Sequence, residues 1–331
     1  MKEIKELLSL KSKILITTHV NPDGDAIGSS LALYNFLIKM GHDVTVVVPN
    51  DYPDFLRWMK SDEKVINFSE NSDDVEKLLN KTDIIFCLDF NNLKRINELG
   101  DLIQLSNAKK VLIDHHLNPD NFYDYKYHNV EASATAELVY DLISFIDDGL
   151  IDKDISDCIY TGILTDTGSF RFASTSSKVH RIVADLLDKG VRSDRVGKII
   201  YESNSFDKLK LLGYSLSKKL EIICDGRAAY IVLSRKDLLD NNYRKGDTEG
   251  IVNYALSIAG VNMATLIIET KERVKFSFRS SGDFSVNHFA NLYFNGGGHK
   301  NAAGGSLEDK LSVALDKFLE SISKHKKELN Y

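Results

Sequence analysis

Short apolar runs rich in β-branched residues alternate along this chain with longer stretches whose apolar positions recur at helical spacing. Residues 1–10 read as an amphipathic helix and 13–18 as a buried strand. Leu31, Leu33, Phe36 and Leu37 set the pattern of a helix from about Asp25 to Met40, stopped by Gly41, a natural residue just past a helix end. Val44 to Val48 is a further strand-like run, and so is Asp83 to Leu88, closed by Asp89. Pro53 to Met59, Asp73 to Leu79 and the region Leu93 to Leu99 look like short helices. Lys110 to Ile113 makes another strand, which runs into Asp114-His115-His116.

The pattern then turns helical over Ser133 to Phe145, Ile155 to Leu164 and Lys178 to Leu187. Residues 191–222 read as a helical linker. Beyond it, strands are expected near Ala228 to Leu233, Ala264 to Glu269 and Val274 to Phe278. A helix near Val286 to Tyr293, the run Gly296-Gly297-Gly298-His299 and a C-terminal amphipathic helix follow. The expected layout is thus a domain over 1–190, the linker over 191–222 and a smaller domain over 223–331. Strands alternating with helices imply an α/β fold, with a parallel sheet carrying helices on both faces. Ligands of such sheets gather outside the carboxyl ends of the strands. His19, Asp89 and Asp114 all follow the last apolar residue of an expected strand.

Composition narrows the partners. The 331 residues carry a formal charge of −6, from 42 basic and 48 acidic side chains, which argues against a protein that tracks long duplex nucleic acid. Any phosphate-bearing partner should be small or held mainly through metal. Cys87, Cys158 and Cys224 lie far apart and match neither a zinc pattern nor a disulfide framework, so buried free thiols are expected. The first 13 residues interleave Lys and Glu with Leu and lack a signal-peptide core, and no apolar run approaches a membrane span. A cytoplasmic protein with no membrane partner is the expectation.

The chemistry concentrates in Thr18-His19-Val20-Asn21-Pro22-Asp23-Gly24-Asp25, between a strand and a helix. One aspartate there could simply cap the helix. Two acids and a histidine exceed that need and ask for a cation, with Gly24 letting the backbone bend and the acids diverge. Asp114, His115 and His116 form a second dense group, and Asp166 sits where a helix breaks at Thr165-Asp166-Thr167-Gly168. Taken singly, Asp89 reads as a turn former and His115 as an ordinary polar residue. A calcium loop is disfavoured, since Ile27 stands where that loop needs oxygen. Jointly, carboxylates with imidazoles suit Mn²⁺ and similar ions, and the acids are too many for one. Two metals sharing a carboxylate would use them all, a standard device for displacement at phosphorus.

His19 to Asp25, Leu88-Asp89, Asp114-His115-His116 and Thr161 to Gly168 resemble, in order, the motifs of the DHH phosphoesterase superfamily. Gly296-Gly297-Gly298-His299-Lys300-Asn301-Ala302-Ala303-Gly304 is similar to the signature of its DHHA1 domain, with Asn295 standing where many relatives carry another glycine. The layout is most similar to the nanoRNase and pAp-phosphatase branch, long described as exopolyphosphatase-related. The resemblance implies a DHH domain and a smaller α/β DHHA1 domain with the active site in the cleft between them. It implies that His19 and Asp23 hold one Mn²⁺, that Asp25, His115 and Asp166 hold another, and that Asp89 bridges them. Mg²⁺ or Co²⁺ could occupy the same sites.

Within the same resemblance, Asp114 fixes the orientation of a neighbouring ligand, and His116 faces the substrate phosphate. Arg279 clamps the substrate, and Gly297, Gly298 and His299 offer it N–H donors. The implied reaction is hydrolysis by metal-activated water of very short single-stranded RNA and of 3′-phosphoadenosine 5′-phosphate (pAp). The alternatives are linear or cyclic dinucleotides, polyphosphate or pyrophosphate, or a non-catalytic nucleotide sensor. A homodimer stays open.

Overall fold

The apolar runs do become strands, and their faces follow from the alternation within them. In the computed structural model, which describes residues 1–202 and 204–330, the chain divides into two units, Met1–Ser203 and Asn204–Tyr331. In the first unit α1 (Lys2–Leu7) precedes β1 (Lys13–Thr17), α2 (Gly24–Lys39) and β2 (Asp43–Val48). Next come β3 (Val65–Asn67), α3 (Ser72–Leu79), β4 (Ile84–Leu88), α4 (Glu98–Leu105), β5 (Lys109–Asp114) and β6 (Tyr125–His128). Helices α5 (Thr135–Asp147), α6 (Lys153–Asp166), α7 (Ser177–Asp188) and α8 (Ser193–Tyr201) complete it.

The sheet order is β3-β2-β1-β4-β5-β6 with every pairing parallel. Central strands of such a sheet are covered on both sides, which is why β4 is apolar and buried throughout. Ile14, Ile16, Phe86, Val111 and Ile113 face α2, α5 and α6, while Leu15, Ile85, Cys87 and Leu112 face α3 and α4. Gly41 ends α2 with φ +89°, its N–H on the Ile38 carbonyl and that of His42 on the Leu37 carbonyl, a left-handed cap that suits glycine.

Several expectations are corrected. The edge strands β3 and β6 were not anticipated, because three or four half-buried residues carry too little periodicity to register. The helix expected over Leu93 to Leu99 is a 3₁₀ turn, Leu93–Ile96, followed by α4 as far as Leu105. Only Asp54–Leu56 of the stretch from Pro53 to Met59 is helical, as a 3₁₀ turn. The linker expected over 191–222 is divided: α8 belongs to the first unit, α9 (Phe206–Tyr214) to the second, and the chain from Leu220 is strand. Cys87 and Cys158 are buried free thiols, whereas Cys224 is half-exposed.

The second unit continues with β7 (Leu220–Ile223), β8 (Ala228–Leu233), α10 (Arg235–Asp240), α11 (Ile251–Leu256), β9 (Met263–Glu269) and β10 (Val274–Ser280). After these come α12 (Val286–Tyr293), β11 (Gly297–His299), β12 (Ala302–Leu307) and α13 (Leu311–Lys324). Its sheet runs β11-β12-β10-β9-β8-β7, antiparallel except for β8 with β9. One face buries Phe276 and Phe278 under Phe289, Phe294 and Phe318 of the α12–α13 side. On the other face α9 and α11 cover Ile231, Ala264 and Leu266. Register places Lys275, Ser277 and Arg279 of β10 on that second face, opposite Ile268, Leu266 and Ala264. Among the described residues, no helix is long and apolar enough to cross a membrane.

Candidate metal centre

The loops leaving β1, β4 and β5 carry the acids and imidazoles, and parallel pairing of these strands brings their carboxyl ends together. His19, just past β1, is buried, and its Nδ1 donates to the carbonyl of Val20 at 3.0 Å. That bond fixes the tautomer and turns Nε2 toward Asp89 Oδ2 at 3.4 Å and Asp23 Oδ1 at 3.8 Å. Asp23 does cap α2, accepting from the N–H groups of Asp25 and Ala26 at 3.1 and 3.0 Å. The carboxylate that caps α2 is therefore also the one that faces His19.

Asp25 is buried in the first turn of α2. Its oxygens accept from the N–H groups of Thr135 and Ala136 at 2.6 and 2.8 Å, so the start of α5, where the helix dipole favours an anion, grips it. Asp89 adopts φ +63°, a left-handed conformation that aspartate tolerates better than most residues. Its Oδ1 accepts from the hydroxyl of Thr135 at 2.9 Å. His115 donates from Nδ1 to the carbonyl of Ala132 at 3.0 Å. Its Nε2 lies 3.5 Å from Asp89 Oδ1, 3.4 Å from Asp166 Oδ2 and 4.0 Å from Asp25 Oδ2.

Two donor groups result, His19 with Asp23 and Asp89, and Asp25 with Asp89 and His115, and Asp89 belongs to both. Asp89, Asp114 and His116 also fall within ligand distance of one another. There, however, His116 Nδ1 donates to Asp114 Oδ1 at 2.8 Å, so Asp114 orients His116. The expectation was that Asp114 fixes the orientation of a neighbouring ligand, and the neighbour it holds is His116. Asp114 is wholly buried, and its Oδ2 has no hydrogen-bond partner among the described residues.

The charge balance follows from burial and from the neighbours of each group. Burial raises the pKa of Asp25 well above the carboxylate range, and Asp89 and Asp166 raise it further. Burial works against a charged His19, yet Asp23 and Asp89 outweigh it and push its pKa up to about 10. His115 is likewise raised against its burial by Asp89 and Asp166. Burial also opposes ionised Asp89, but the imidazoles of His115 and His19 hold it well below its ordinary range. For His116 burial prevails over the Asp114 bond and the pKa is lowered. Without a cation, protons on His19 and His115 offset the carboxylates. The oxygen and imidazole donors fit a divalent cation, which would displace those protons.

A pH dependence follows. His19 moves from 6.5 to about 10 on folding, so its proton contributes stability that is complete below about pH 6.5 and lost as pH rises through about 10. Chelator-treated protein should show a thermal midpoint that falls across this range, and saturating Mn²⁺ should abolish the fall. A midpoint flat with pH in the treated protein would contradict the charge balance.

Two features were missed in the sequence. Thr135 supports Asp25 through its N–H and Asp89 through its hydroxyl. The available signal was the small-residue run Ala132 to Ala136 at a helix start, which suits close approach of backbone donors. Thr135→Val keeps the N–H and removes the hydroxyl. It should weaken Mn²⁺ binding about 10–100-fold, measured by calorimetry, with unchanged circular dichroism. The role of Gly24 was also misread. It has no left-handed backbone, and a Cβ there would sit 2.4 Å from the Thr165 hydroxyl, so α6 packing demands the glycine. Asp166 ends an unbroken α6 that brings it to His115.

In the second unit, the glycine run leads into strand β11, Gly297–His299, paired with β12. A Cβ at Gly296 or Gly298 would strike the carbonyl of Gly304 or Ala302, and the N–H of Gly298 is taken by Asn287 Oδ1 at 2.9 Å. Gly297 differs: a Cβ there would meet only ordinary contacts, at 3.6 Å or more. Arg279, which donates to the Phe278 carbonyl at 2.9 Å, stands opposite Ala302, and Ala302 stands opposite His299. Arg279 and His299 therefore share one sheet face with a small residue between them.

Comparison with known proteins agrees with this layout. The model of the DHH family N-terminal domain matches residues 13–163, and that of the DHHA1 domain matches 225–328. A bifunctional oligoribonuclease and PAP phosphatase from Thermus thermophilus is 32% identical over 326 residues, covering 97% of this chain and 93% of that protein. The protein of the same description from Bacillus subtilis is 27% identical, over 92% of each chain. The crystal structure of an exopolyphosphatase-related protein from Bacteroides fragilis superposes with a TM-score of 0.95 at 39% identity, over 100% of this chain and 97% of that one.

Proposed function

The chain belongs to the DHH family and carries a DHHA1 domain, and from that membership we propose a Mn²⁺-dependent phosphoesterase that hydrolyses short oligoribonucleotides and pAp. The observation that carries the reading is Asp89, buried and common to two groups of carboxylate and imidazole donors. In this reading His19 and Asp23 hold one cation, Asp25, His115 and Asp166 hold the other, and Asp89 is shared. Bound there, divalent cations supply positive charge for phosphoryl oxygens and make water acidic enough to react near neutral pH.

The chain's own groups do the rest. Asp114 keeps the proton of His116 on Nδ1 and holds the ring beside Asp89, 3.6 Å away. From that position His116 would donate from Nε2 to the phosphoryl group once it takes a second proton, which the substrate's negative charge favours. We assign metal chemistry to the first unit and substrate binding to the second, where Arg279 and His299 offer cationic and imidazole donors from one sheet face. Gly297 supports this assignment, because the fold leaves room for a side chain there and a closely approaching phosphate would not. Three unbridged cysteines favour a reducing, cytoplasmic setting.

The test is turnover by purified protein of pAp, the linear dinucleotide pApA, a three-nucleotide RNA and pyrophosphate, each with Mn²⁺, Mg²⁺ and Co²⁺. Fastest hydrolysis of pAp and the short RNA with Mn²⁺ is expected. Turnover confined to pyrophosphate, or tight nucleotide binding with no turnover, would overturn the proposal.

A further inference from the structure

Arg95 stands in the 3₁₀ turn Leu93–Ile96, between β4, which Asp89 follows, and helix α4. Its carbonyl accepts a 2.8 Å hydrogen bond from the N–H of Val20, the residue after His19. The turn is thereby fastened to the loop that bears the first metal-ligand candidate. The side chain is half-buried, and after burial and the Asp114 and Asp89 carboxylates its positive charge is among the influences on His116. The other arginines of this unit have partners: Arg57 has Asp51, Asp54 and Asp62, Arg192 has Asp194, Arg171 donates to the Gly168 carbonyl, Arg181 to the Ser177 hydroxyl, and Arg195 lies over the Trp58 ring. The guanidinium of Arg95 makes no hydrogen bond or ion pair among the described residues, although Asp23, Asp25, Asp89, Asp114 and Asp166 crowd the same strand ends.

A partly desolvated cation without a partner is unfavourable unless a ligand completes it. Guanidinium presents a planar fork of donors that matches two oxygens of one phosphoryl group. We propose that Arg95 binds the phosphoryl group undergoing hydrolysis, on the side of His116, and so supplies the first unit's own cationic contact to substrate. The inference rests on the phosphoesterase reading. It adds a residue to which none of the sequence motifs points.

Arg95→Ala should lower kcat/KM for pAp and for a three-nucleotide RNA about 10²–10³-fold, the usual effect of losing one charged donor to a transition state. Arg95→Lys should recover part of the loss, and millimolar guanidinium should partly rescue Arg95→Ala. Mn²⁺-induced stabilisation and circular dichroism should match the wild type, which separates a phosphate contact from a role in metal binding or folding. A second arm titrates inorganic phosphate into the Mn²⁺-loaded proteins, where Arg95→Ala should bind about tenfold more weakly.

Weaker phosphate binding by Arg95→Ala than by a wild type that hydrolyses nothing would leave Arg95 as a phosphate contact and discard the phosphoesterase reading, with the hydrolytic role built on it. An active wild type with Arg95→Ala unchanged to within about threefold in both arms would discard the inference alone. Loss without guanidinium rescue, with the lysine variant no better than the alanine, would also discard it, since any arginine-shaped support would behave that way.

Discussion

Asp89→Asn is expected to abolish hydrolysis while leaving the fold intact. The asparagine has the same shape and can still accept the Thr135 hydroxyl, so the packing around position 89 is retained. What disappears is charge. Asp89 Oδ2 faces His19 at 3.4 Å and Oδ1 faces His115 at 3.5 Å, so one neutral substitution weakens both donor groups together. An amide nitrogen would also turn a donor toward one cation. Loss of a residue that merely orients a ligand lowers metal affinity about 10–100-fold, and loss of a ligand common to both groups should exceed that. The measurements are turnover of pAp and the shift of the thermal midpoint on adding Mn²⁺, with circular dichroism as the control for folding. Retained turnover in well-folded Asp89→Asn would sink the shared-ligand assignment, and Asp166→Asn tests the second group in the same way.

Gly162→Ala should disable the site from inside the core. Position 162 lies in α6 against α2 and α5, and a Cβ there would stand 2.6 Å from Cβ of Ala136 and 2.8 Å from Asp25 Oδ1. Two effects oppose each other. Alanine in a helix interior is favoured over glycine by about 1 kcal/mol. Overpacking of a dense core costs about 1–3 kcal/mol. The clash should win, because Cβ of Ala136 cannot rotate away and Asp25 is tied to two backbone N–H groups. A net loss of up to about 2 kcal/mol would lower the thermal midpoint by several degrees, at about 2–4 °C per kcal/mol for a unit of this size. The larger effect should fall on Mn²⁺ affinity, since relief of the clash displaces Asp25. Gly197→Ala is the control: nothing lies within 4 Å of its Cβ on α8, so only the propensity gain should appear. Equal behaviour of the two variants would refute the packing argument.

The contrast between these glycines shows how far a sequence can be read. Glycine at 24 and 162 was visible, but its cause was not, because the atoms it makes room for belong to residues such as Thr165 and Ala136. The same holds for Gly298 in β11 and for Gly296 just before it, where a side chain would strike the carbonyls of Ala302 and Gly304. By contrast, β1, β2, β4 and β5 were legible. Each is an unbroken apolar run between polar turns, and a parallel sheet buried on both faces imposes that pattern locally.

His19, Asp89 and Asp114 could be placed at one sheet edge from the chain alone, since a residue after the last apolar position of a parallel strand has nowhere else to go. The sequence by itself thus determined the parallel α/β core and the acids and imidazoles at its carboxyl edge. Tertiary structure alone decided the partners: Thr135 beneath Asp25 and Asp89, Asp114 behind His116, and Arg95 fastened to the His19 loop. Burial and strand pattern are local properties written in neighbouring residues. Hydrogen bonds spanning 46 to 110 positions depend on how helices pack onto the finished sheet, and no local pattern carries that information.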